Sequence, residues 1–312
     1  MQSLTSKIFM ALLRAVFHSP LSDSSKLSDN AGKITDGKKS GYRPSRNFGF
    51  SKHLCEDVKY ERLISLSNRS DKVILMLHGG SFKVGLIDTY RRLAEKYSRL
   101  FSGATVISVD YGKFPEHKPP SQMYDVVKVY LHLLETGVKS SDIVFIGDSA
   151  GAMLALTSTL WLRDNNYPLP CHIVCFSLWA DATSSGESRI TNAYTDPFNG
   201  ISRKKKIEDN LHILRRISST MIDVDRTDPY ISPLFGSFEN FPAVTLVCGT
   251  AEVDESDNDR IYEKMRNAHV DVRLYKFEGM CHCFQLFGFL PESARAYDIV
   301  KARLKGEKYE NS

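Results

Sequence analysis

The sequence predicts an α/β fold, a mostly parallel central sheet flanked by helices. Three observations carry this. Short apolar runs recur at intervals along the chain, as strands buried on both faces of a sheet do. Segments of helical periodicity separate them, so strand and helix alternate. Across 312 residues, hydrophobic side chains make up 42% and charged ones 25%, enough apolar material for a large core and too little charge for a disordered chain.

The elements follow in order. Ile8, Phe9, Leu12, Leu13, Val16 and Phe17 form an amphipathic stripe that reads as a helix packed on the protein. It is too short to span a membrane, and Arg14 interrupts it as a signal-peptide core. Residues 20–50 read as a polar, partly mobile loop. Val58 to Leu66 alternates loosely as a strand. Val73 to Leu77, Ala104 to Val109, Ile143 to Ile146, His172 to Leu178, Val244 to Cys248 and Val272 to Phe277 read as strands. Thr89 to Phe101, Gln122 to Glu135, Met153 to Leu162, Asp257 to Ala268 and Pro291 to Leu304 read as helices. Residues 183–226 break the alternation and read as an inserted cap, with a helical stripe at Ile207, Leu211 and Leu214. The expected organisation is therefore 1–50 as N-terminal cap helices and mobile loop, 51–182 as the first part of the core, 183–226 as the cap and 227–312 as the second part.

Charge argues against some partners. The formal net charge is +4. Its one concentrated run, Arg203 to Lys206, has no interleaved aromatic residues for stacking bases and reads as a solvated helix face. No nucleic acid is expected. Of six cysteines, Cys171, Cys175 and Cys248 sit in apolar runs, where they act as small hydrophobes. That points to a reducing compartment, the cytoplasm. Cys281 and Cys283 flank His282, but the spacing lacks four zinc ligands, so no metal is expected.

The chemistry concentrates in four places. Gly147-Asp148-Ser149-Ala150-Gly151 lies between a strand and a helix, the context in which a serine on a sharp turn becomes a nucleophile. His78-Gly79-Gly80-Ser81 follows the strand Val73 to Leu77. Its glycines, with Ala150, are candidate backbone donors to a developing oxyanion. His78 fits a role in holding that loop. His282 follows the strand Val272 to Phe277 on a loop and is the candidate base. The acid lies in the loop after Val244 to Cys248, where Glu252 and Asp254 compete and spacing does not choose between them. Asp257 and Glu255 read as first-turn helix residues with Ser256 as N-cap.

These motifs resemble the hormone-sensitive-lipase family of α/β hydrolases, which includes bacterial esterases and arylacetamide deacetylases. The resemblance runs from about residue 72 onward. It rests on His78-Gly79-Gly80-Ser81, Gly147 to Gly151, Tyr111 to His117, Asp228 to Pro233 and Gly279 to Phe284. It implies the α/β-hydrolase fold with a helical cap that the N-terminal helix joins. It also implies Ser149 as nucleophile, His282 as base, Asp254 as acid, and Gly79, Gly80 and Ala150 as the oxyanion hole. Ser81, Phe82 and Asp148 become candidate substrate-binding residues. Ser81 and Cys283 depart from family glycines. The implied reaction is hydrolysis of short- to medium-chain carboxylic esters through an acyl-enzyme, with no cofactor. Amide or carbamate hydrolysis is the alternative on the same residues. A silent small-molecule receptor on this scaffold is disfavoured by the presence of His282. The expected partner is a small ester, without stable membrane insertion, and a homodimer stays open.

Overall fold

A computed structural model describes residues 2–17, 40–215 and 217–307. Its centre is an eight-stranded sheet. The strands are β1 (Phe48–Cys55), β2 (Val58–Ser65), β3 (Val73–Leu77), β4 (Thr105–Asp110), β5 (Ile143–Asp148), β6 (His172–Phe176), β7 (Ala243–Gly249) and β8 (Val272–Phe277). They lie in the order β1-β2-β4-β3-β5-β6-β7-β8. β1 to β2 and β2 to β4 pair antiparallel, and every later pair is parallel.

The helices follow the expected alternation: α1 (Leu4–Phe17), α2 (Asp88–Leu100), α3 (Ser121–Glu135), α4 (Ala150–Asp164), α5 (Ser188–Thr191), α6 (Leu211–Leu214), α7 (Glu255–Asn267) and α8 (Pro291–Leu304). They cover both faces of the sheet. One apolar cluster joins Leu75, Phe145 and Ile173 to α3 and α4, and the other joins Ile74, Ile146 and Val174 to α2 and α8. Strands β3, β5 and β6 are buried along their length, because neighbours flank them and helices cover both faces. Helix α4 is buried almost all round, which its uniformly apolar and small side chains permit.

Three expectations need correction, and a fourth lies mostly outside the described residues. Phe48–Cys55 is a strand, so a boundary at residue 50 would cut it. It is an edge strand with a half-exposed pattern, and its polar composition hid it. The expected mobile loop falls largely outside the described residues. The run Arg203 to Lys206 is exposed in a turn, not on a helix face. Helix α1 is apolar on two sides. Met10, Phe9 and Leu13 pack inward, while Leu4, Ile8, Leu12 and Val16 stay exposed.

Helix α1 is fixed at its start. The backbone N–H of Ser3 donates to Glu292 at 2.6 Å, and the hydroxyls of Ser3 and Ser6 reach the same carboxylate in α8. At its other end, Arg14 Nη1 donates to the Thr195 carbonyl at 3.3 Å, and Phe17 meets Phe198 edge-on. No helix among the described residues is long and apolar enough to cross a membrane.

Among the described residues of segment 183–226, between β6 and β7, the helices are short. Ile207, Ile213 and Leu214 pack there with Ala193 and Ile201 in a cluster separate from the two sheet cores.

Candidate active site

Ser149 stands at the C-terminal end of β5, at the middle of the sheet, and α4 begins at the next residue. Its backbone is at φ 53° and ψ −120°, a conformation that L-residues seldom adopt. The flanking glycines make the turn possible. A Cβ at Gly147 would run into the backbone of Gly151, and one at Gly151 would overlap the Leu77 carbonyl of β3. The N–H of Ser149 donates to the Phe176 carbonyl of β6 at 3.0 Å, tying the turn to the sheet.

His282 arrives on the loop after β8. Its Nε2 lies 2.9 Å from Ser149 Oγ, so the structure joins the predicted nucleophile and base. On the other side of the ring, Nδ1 lies 3.0 Å from Glu252 Oε2. Asp254 Oδ2 is farther, at 3.9 Å. The expectation of Asp254 as the partner is therefore corrected to Glu252. Asp254 is held elsewhere, its Oδ1 paired with the Arg189 guanidinium of α5. It occupies the N-cap position of α7, one turn-start earlier than the Ser256 expected there.

Glu252 is fully buried and held from behind. Its Oε1 accepts from the Gly249 N–H at 2.5 Å and from Ser177 Oγ at 2.8 Å, which leaves Oε2 for the histidine. Ser177 Oγ also accepts the Cys283 N–H at 2.8 Å, so one hydroxyl bridges the acid loop and the histidine loop. Burial pushes the Glu252 carboxyl up, and its hydrogen bonds to His282, Gly249 and Ser177 act against that. Burial likewise disfavours the His282 imidazolium, but the Glu252 carboxylate favours it, and the balance raises the pKa. Burial pushes the Cys283 thiol up to about 11, so it stays neutral and the charge favouring the imidazolium is that of Glu252.

The loop from 78 to 82 lies beside the serine turn. His78 is buried and stacks on Tyr111 at 4.2 Å, with Nδ1 2.8 Å from the Gly79 carbonyl. Burial lowers its pKa to about 4, so it is neutral. Tyr111 Oη donates to the His78 carbonyl at 2.6 Å. His78 therefore braces the loop.

Of the three predicted backbone donors, Gly79 needs correction. Its N–H is spent on Tyr90 Oη at 2.9 Å, and Tyr90 in turn donates to Asp148 Oδ2 at 2.8 Å. The N–H groups of Gly80, Ser81 and Ala150 meet no protein acceptor among the described residues. Ser81, at φ 52°, occupies the left-handed region where a family glycine would sit without strain, and Cys283 does the same at φ 55°.

Asp148 is also corrected as a substrate-binding candidate. It is buried, and its Oδ2 already serves Tyr90 and the Cys283 thiol. Burial pushes its carboxyl up to about 6. Phe82 is buried and lines a small apolar cavity with Pro120, Met123, Met153, Thr157 and Ile231. Met153, one of its lining residues, lies in the first turn of α4, just after the serine turn.

Sequence reasoning missed Tyr90, Ser177, Arg189 and Asn192. Ser177 had a positional signal, as the residue leaving β6 at the same sheet edge as Ser149. Nothing local marks the other three.

Over residues 74–286 the sequence matches a family described as alpha/beta hydrolase fold. It is 32% identical over 227 residues to an esterase of Acinetobacter venetianus, covering 72% of each chain. It is 29% identical over 240 residues to an acetyl-hydrolase of Streptomyces hygroscopicus, covering 77% of each. The fold superposes with a TM-score of 0.80 on the crystal structure of an esterase from the bacterial hormone-sensitive lipase family. The two are 26% identical, covering 98% of this chain and 99% of the other.

Proposed function

The chain belongs to the alpha/beta hydrolase fold family, and from that premise we propose that it is a carboxylesterase working through Ser149, His282 and Glu252. One observation carries the reading. Hydrogen-bond distances of 2.9 and 3.0 Å run unbroken from Ser149 Oγ through His282 to Glu252.

Ser149 Oγ attacks the carbonyl carbon of the ester while His282 Nε2 takes its proton. The carbonyl oxygen gains charge as the tetrahedral intermediate forms. The free N–H groups of Gly80 and Ala150, with Ser81 beside them, are placed on the loops that flank it. Each such donor is worth about 3 kcal/mol in the transition state. Glu252 fixes the imidazole tautomer and balances its charge. The imidazolium then protonates the leaving alkoxide, and an alcohol departs from an acyl-enzyme. Water repeats the sequence and releases the acid and the free serine.

The acyl chain it takes is short to medium in length. The acetyl-hydrolase among its relatives is in keeping with that size.

A chain-length series of p-nitrophenyl esters tests the reading. Turnover should favour acetate to butyrate and fall by about 10⁴- to 10⁶-fold in Ser149→Ala. Unchanged turnover in that variant would remove Ser149 from the mechanism.

A further inference from the structure

Two carboxylates compete for one imidazole here. Glu252 Oε2 is 3.0 Å from His282 Nδ1, and Asp254 Oδ2 is 3.9 Å away. Both are buried, so neither is screened by water. An Nδ1–H can serve only one of them well. We propose that Arg189 is the positioning residue that selects the acid: by pairing with Asp254 it withdraws that carboxylate and leaves His282 to Glu252. This rests on the reading of Ser149, His282 and Glu252 given above.

The surroundings of Arg189 support this. Its side chain is 12% exposed and its partner Asp254 is 7% exposed, so the pair is nearly dry. Asp181, Asp196 and Asp257 also face it. A buried cation among several carboxylates is costly to remove, because the anions left behind are uncompensated. The nearest favourable counter-charge for a freed Asp254 would be the imidazolium of His282.

The same segment grips the acid loop at almost every residue. Ser188 Oγ donates to the Val253 carbonyl at 2.6 Å and accepts the Ser256 N–H at 2.9 Å. Asn192 Nδ2 lies 2.7 Å from the Glu252 carbonyl and 3.1 Å from that of Thr250. Thr195 Oγ1 donates to the Ala251 carbonyl at 3.2 Å, and Asp196 accepts the Val253 N–H at 2.9 Å. Residues 188–196 thus act as a mould for the loop, and Arg189 is its one cationic contact with the competing acid.

The experiment compares kcat on p-nitrophenyl acetate across four proteins. E252Q should lose about 10³- to 10⁴-fold, as loss of the orienting acid does elsewhere. E252Q/D254N should be no slower than E252Q, because Arg189 already keeps Asp254 out of use. R189Q/E252Q should recover at least about tenfold over E252Q as Asp254 moves onto the histidine, and adding D254N should erase the recovery.

The pH profile supplies a readout that a purely structural role would not move. Glu252, Asp254, Asp148, Asp196 and Cys283 surround His282, and of these Asp254 and Asp196 lose a counter-charge when Arg189 is lost, Asp254 being its direct partner. R189Q alone should therefore shift the acid limb of kcat/KM to higher pH. A folded R189Q/E252Q, checked by thermal melting, that is no faster than E252Q would overturn the proposal. If that variant does not fold, the E252Q pair decides with Arg189 in place: a further tenfold loss in E252Q/D254N would show Asp254 already acting, and would overturn it equally. Full activity in E252Q would instead defeat the assignment of Glu252 itself.

Discussion

The serine turn and the acid loop sit at the same edge of one sheet, yet they are built by opposite means. The turn is made by its own backbone. Gly147 and Gly151 close on each other and on β3 without room for a Cβ, and central strands flank the site. The acid loop is made by its neighbours. Glu252 is aimed by Ser177 from β6, and the loop around it is held by Ser188, Arg189, Asn192, Thr195 and Asp196 from the insertion. One half of the site is a local property of five residues. The other half exists only once distant parts of the chain have met.

The two constructions should break differently. The largest effect belongs to the turn. Gly151→Val places side-chain atoms where the Leu77 carbonyl lies, and should cost more than about 4 kcal/mol and abolish soluble protein, read as loss of the thermal transition. Next is the histidine that joins the halves. It works as a base only when neutral, and Glu252 raises its pKa. Activity should therefore fall with acidification, about tenfold per pH unit in kcat/KM, starting from a limb above pH 6.5. A limb at or below that value would mean the Glu252 carboxylate does not govern the imidazole.

Asn192→Ala then tests the loop without touching a reacting group. It should lower kcat about 10- to 100-fold by letting Glu252 shift, while the melting temperature moves by only a few degrees. A collapse in stability with kcat intact would show that the loop holds itself. The smallest effect is Ser81→Gly. It relieves a left-handed serine at φ 52° and should stabilise the protein by less than about 1 kcal/mol, seen in denaturant melts.

That contrast also explains which parts of the protein were legible in its sequence. The buried parallel strands announced themselves as apolar runs, and Gly147 to Gly151 carried its own steric logic. β1 was not legible, because FGFSKHLC is a half-exposed edge strand without such a run. Asp254 and Glu252 look alike from two positions apart. What separates them is Arg189, a residue 65 positions earlier that only the fold brings near. Gly79 failed for a similar reason. Its N–H is taken by the hydroxyl of Tyr90, eleven residues on, across a turn that pattern alone does not draw.

Glu292 binds the start of the chain to its last helix. Through it Ser3 and Ser6 become part of the body of the protein. A fusion partner or purification handle joined ahead of Ser3 would press directly against that knot. Any strain placed there passes straight into α8.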